Sequence, residues 1–112
     1  MNTSNLKWLR LELKNEEVLS TRYSIIHTQF ARYSYLIEEG YMLGIYNAGN
    51  YEKDIPHGVM YIQTDHQGFY DACIEAYSND FEVTQLTPFF SLPTNYKLAL
   101  GVSVVFKNRH SA

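Results

Sequence analysis

One cysteine, Cys73, stands in a chain of 112 residues. An internal disulfide and a cysteine-rich zinc site are therefore excluded, and the chain is expected in a reducing compartment. No apolar run reaches the ~18 residues of a membrane span, and no basic segment feeds an apolar stretch in the manner of a signal peptide. The expectation is a soluble, cytoplasmic protein with no membrane partner. Cationic surplus is missing as well: nine Lys and Arg face twelve Asp and Glu, for a net charge of -3. Sequence-independent binding to phosphate backbones is disfavoured, so nucleic acid is not an expected partner. Gly-x-Gly-x-x-Gly, Gly-Lys-Ser/Thr and Gly-x-Ser-x-Gly are all absent, which leaves nucleotide and serine-hydrolase readings without an anchor and no cofactor to expect. No repeat or low-complexity tract appears, and the six glycines punctuate turns.

What the chain has is apolar and aromatic. Hydrophobic residues make up 46% and aromatic residues 15%, including ten Tyr, and the length suits one domain over residues 1–112 with a sizeable core. Tyr offers a rigid face with a polar tip, so a surplus of rings predicts exposed contact surface.

Trp8 to Leu13 alternates, with Leu9, Leu11 and Leu13 on one face, and reads as a strand; a helix from Ser4 is the rival. Asn15, followed by Glu16 and Glu17, reads as a helix start. Leu19, Tyr23, Ile26, Phe30, Tyr33 and Ile37 then follow steps of three and four, which predicts one helix from about Glu16 to Glu39, closed by Gly40. The alternation of Tyr33, Tyr35 and Ile37 leaves a hairpin as its rival. Tyr41 to Asn47 and Val59 to Thr64 read as strands flanking a polar connection from Ala48 to Gly58. Asp65 is placed to cap a helix running to about Ser78, with Phe69, Cys73, Ala76 and Tyr77 inward. Phe81 to Leu86 reads as an added edge strand, Pro88 and Pro93 mark an irregular segment, and Lys97 to Lys107 reads as the closing strand. The order β-α-β-β-α-β is that of the α+β ferredoxin-like folds, with two helices on one face of an antiparallel sheet. That order carries no activity of its own.

The four histidines, His27, His57, His66 and His110, lack metal-ligand spacing. His57 and His66 flank a strand roughly 20 Å long, too far to share one ion, so no metal is expected. Cys73 falls on an apolar helix face beside Asp71 and Glu75, where a thiol is inert and the catalytic reading fails. Pro56-His57-Gly58 resembles the start of the central helix in hot-dog thioesterases. That resemblance implies a hot-dog-like α+β fold and an enzyme acting on a small substrate near His57, Asp65 and His66. It requires Val59 to Tyr77 to form one helix, which Thr64 to Gly68 interrupts with a cap signal and a glycine. Trp8 and Arg10 share the strand face opposite the leucines, with Tyr61 on a neighbouring strand, an arrangement suited to stacking a flat ligand or base; Glu12 on the same face opposes a polyanion. The chain is therefore expected to be a non-catalytic binding or interaction module with a Tyr-rich contact surface. Trp8, Arg10, Tyr61, His57 and His66 are its candidate contacts, and a homodimer would cover the rings on the free sheet face.

Overall fold

The computed structural model describes residues 6–14, 19–48 and 58–101. Its elements are β1 (Lys7–Leu13), α1 (Leu19–Tyr33), a short α2 (Tyr35–Glu38), β2 (Leu43–Ala48), β3 (Val59–Thr64), α3 (Gln67–Tyr77), β4 (Phe81–Leu86) and β5 (Tyr96–Gly101). The strands form one five-stranded sheet in the order β4-β1-β3-β2-β5, and every neighbouring pair is antiparallel.

The alternation of β1 works as the sequence implies. Leu9, Leu11 and Leu13 enter a core shared with Ile45 of β2, Met60 and Ile62 of β3, Ile26 and Phe30 of α1, Leu36 of α2, and Phe69, Cys73 and Tyr77 of α3. The helices thus lie on one face. The central strand β3 is buried along its whole length, because its odd-numbered residues face a second apolar layer containing Trp8, Tyr46, Val59, Tyr61 and Tyr96.

The expected helix from Glu16 to Glu39 breaks at Ser34, whose hydroxyl donates to the Ala31 carbonyl (3.0 Å) in place of a regular helical turn. Such back-bonding bends helices. Its Asn15-Glu16-Glu17 start lies outside the described residues. The hairpin rival fails, because Tyr35–Glu38 is helical and Leu36 is buried. Gly40 closes the helix as expected: its φ is +100°, and the Gly40 and Tyr41 amides donate to the carbonyls of Ile37 (3.1 Å) and Leu36 (3.0 Å), the paired bonds of a left-handed C-terminal cap.

Val59–Thr64 is a strand, as expected, so the single helix through Tyr77 that the hot-dog alternative requires is not formed. Phe81–Leu86 is an edge strand, as expected, and pairs with β1 through six consecutive positions. The last strand pairs with β2 at the opposite edge; residues 102–107 of its expected span lie outside the described residues. Within β5, Ile45 pairs with Leu100 and Tyr46 with Leu98, leaving Ala99 unmatched. This bulge turns Leu100 onto the helix-side core while Leu98 packs on the opposite face.

Gly101, at the end of β5, has φ +87°, and a Cβ built there would lie 1.8 Å from the Leu43 carbonyl oxygen. Gly40 shares the positive φ, but a Cβ there meets nothing within 4 Å. Gly40→Ala should therefore cost only the left-handed backbone penalty of about 1 kcal/mol, and Gly101→Ala at least about 3 kcal/mol, since β5 must also move off β2. Urea titration of both variants checks the difference; equal costs would mean that β5 does not approach β2 this closely.

Candidate interaction surface

The face of the sheet opposite the helices carries most of the candidate residues. On β1, Trp8, Arg10 and Glu12 alternate with the leucines, and their partners on β3 are Gln63, Tyr61 and Val59. Trp8 and Tyr61 thus sit on adjacent strands of one face, as expected. They are not exposed: their relative accessibilities are 6% and 7%, which corrects the expectation of an open aromatic shelf.

The cover is the irregular segment between β4 and β5. Pro88 starts a turn in which the Phe90 amide donates to the Thr87 carbonyl (3.1 Å), and the Tyr96 amide donates to the Pro93 carbonyl (3.1 Å). Proline presets the first inner position of such turns. Between these turns the chain crosses the sheet and seats Phe90 and Leu92 on the aromatic layer. Phe90 stacks on Tyr61 (5.0 Å, 30°) and meets Trp8 edge-on (5.1 Å, 61°), while Tyr96 meets Tyr61 edge-on (4.9 Å, 80°). Beneath them the Tyr46 hydroxyl donates to Gln63 Oε1 (3.0 Å), so the buried amide carbonyl has its partner. Among the described tyrosines, Tyr46, Tyr61, Tyr70, Tyr77 and Tyr96 are buried.

Large rings remain exposed at three described positions: Tyr35, Tyr41 and Phe89. Phe89 is 91% exposed and lies at the tip of the Pro88 turn, next to the anchored Phe90. Nothing in its local sequence separates it from Phe90, since the two rings are adjacent in an aperiodic segment.

The remaining candidates do not converge. Arg10 donates to Glu12 Oε1 (2.7 Å), and that bond, with a further one to Tyr61, holds its guanidinium protonated above its ordinary range. His57 lies outside the described residues. Asp65 and His66 lie at the start of α3, where Asp65 is not the cap that the sequence leads one to expect. The cap is His66, whose Nδ1 accepts from the Phe69 amide (3.0 Å); the Asp65 carboxylate instead accepts from the Met42 amide (2.8 Å) and ties the start of β2 to the end of β3. His66 is further fixed edge-on against Tyr41 (4.6 Å, 85°). Both polar groups thus hold backbone. A shallow depression on α1, lined by Ser24, Ile25, Thr28, Gln29 and Arg32, is wide open to solvent. Among the described residues no three His, Cys, Asp or Glu side chains gather to hold a metal ion, and no helix is long and apolar enough to cross a membrane.

Cys73 is fully buried, and burial pushes its thiol pKa up to about 12; burial also raises the neighbouring Tyr77 hydroxyl. Comparison of the chain with protein-family models, curated proteins and solved structures found no match.

Two outcomes follow from this packing. The single tryptophan reports on the cover, so Phe90→Ala should red-shift Trp8 emission and cost about 2 kcal/mol; unchanged emission would show that Phe90 does not shield the indole. The Cys73 thiol is neutral in the native state and ionises near pH ~8.5 when unfolded. Stability it contributes is therefore complete below that pH and falls as pH rises through the window up to about 12. Thiol reagents should label it slowly in native protein at pH ~8 and rapidly in denaturant, and fast native labelling would contradict its burial.

Proposed function

We propose that this chain is a non-catalytic protein-interaction module on a ferredoxin-like core. Support for the core comes from the run β4-β1-β3-β2 with α1 and α3 on one face, β5 being an addition at the β2 edge. The observation that carries the interaction reading is Phe89: a large ring left 91% exposed on a proline-started turn whose next residue is anchored in the aromatic layer. Aromatic side chains held rigidly at low entropic cost make effective interface anchors, because little freedom remains to be lost on binding. The contact surface is thus a turn tip rather than a Tyr-rich sheet face. The partner proposed for it is a second copy of the chain. The enzyme alternative lacks comparable support, since Asp65 and His66 are each engaged in holding backbone.

Sedimentation velocity over a concentration series tests this reading. The parent should self-associate, and Phe89→Ser should remain monomeric with an unchanged urea midpoint, because the side chain has almost nothing to lose on unfolding. A parent that stays monomeric throughout, or a serine variant that associates equally well, would remove Phe89 as the anchor of a homodimer.

A further inference from the structure

The two edges of the sheet are built differently. At one edge β5 carries the exposed Lys97, the bulge at Ala99 and the left-handed Gly101, three features that discourage a further strand from adding. At the other, β4 (Phe81–Leu86) has no Lys, Pro, Gly or bulge and keeps regular register with β1 at all six positions. Among the described residues none hydrogen-bonds to the outer backbone of Glu82, Val83 or Thr84.

The side chains along that open edge state what would fit it. On the helix side, the half-buried Val83 extends the core at the sheet margin. On the opposite side, Glu82 lies directly across from Glu12, and like charges at opposed positions are mutually destabilising. Arg10 on this face is committed to Glu12 and the Lys14 ammonium donates to the Ser78 carbonyl, so among the described residues Glu82 has no ion-pair partner. A strand laid against β4 would place alternate side chains beside Val83 and beside Glu82.

We infer that the outer edge of β4 is a strand-addition site for an extended peptide segment that alternates apolar with basic residues, its apolar side chain beside Val83 and its Lys or Arg beside Glu82. Main-chain hydrogen bonds supply affinity in such complexes, and alternate side chains supply selectivity. A second copy of β4 fits less well. A two-fold axis through Val83 keeps helix faces aligned but brings two Glu12–Glu82 carboxylate pairs onto one face. This inference rests on the reading of the chain as an interaction module, but it does not use Phe89.

The test uses the full chain and three short capped peptides: one alternating Val and Lys, its counterpart with Glu for Lys, and the Val-Lys peptide N-methylated at alternate residues. Binding is followed by fluorescence anisotropy, and hydrogen exchange is followed at each β4 amide. The Val-Lys peptide should protect amides within Glu82–Gln85 and bind about tenfold more tightly than the Glu peptide. Glu82→Lys should invert that preference, and the N-methylated peptide should not bind. Phe89→Ser should bind the Val-Lys peptide like the parent, so that loss of the homodimer and loss of the edge site are read separately. Equal affinity for both charge types, unprotected β4 amides, binding of the N-methylated peptide, or β4 amides that become protected with protein concentration alone would each overturn the assignment, the last by giving the edge to a second copy.

Discussion

Phe90 seated over Trp8 and Tyr61 is the contact on which the other features of the molecule depend. Helices cover one face of the sheet. The opposite face carries Trp8, Tyr46, Tyr61 and Tyr96 on four different strands, too much apolar area to leave in water. By crossing that face, residues 87–95 turn a two-layer α+β arrangement into one with a core on either side of the sheet, and β3 becomes a strand buried throughout. The route of the crossing also explains the edges: chain leaving β4 passes over the sheet and re-enters beside β2, so β4 and β5 end on opposite margins.

Much of the helix-side core was legible in the sequence because its signals are local. The alternation of Leu9, Leu11 and Leu13 and the spacing of Ile26 and Phe30 each declare an inward face without reference to any other segment. Gly40 marks a cap by a backbone requirement that few other residues meet. The second core was not legible, because Phe90 and Leu92 sit among prolines with no periodicity to mark them, and only the Trp8–Tyr61 surface gives them an inside. The bulge was hidden for a related reason: Leu98 and Leu100 read as one face of a strand, and the unmatched Ala99 that separates them appears only in the pairing with β2.

The identity of the α3 cap shows the same limit at the scale of one hydrogen bond. Aspartate is the better helix cap by intrinsic preference, and adjacency gives no reason to choose otherwise. The Met42 amide, 23 residues away in sequence, needs an acceptor where the chain enters β2, and the carboxylate supplies it. His66 then takes the cap. Asp65 and His66 are thus both accounted for by backbone that would otherwise lack partners.

A surplus of aromatic residues argues for contact, but it does not say whether the contact is within the chain or between chains. Covering Trp8 and Tyr61 with a second molecule costs translational and rotational freedom of several kcal/mol. Covering them with a segment already tethered at Leu86 and Tyr96 costs only the ordering of a short loop, whose closure entropy grows slowly with length. Intramolecular cover therefore wins at ordinary concentrations, and the rings on the sheet are spent on stability. What the tether leaves uncovered is the outward ring of its turn, Phe89, and the margin β4 from which it departs.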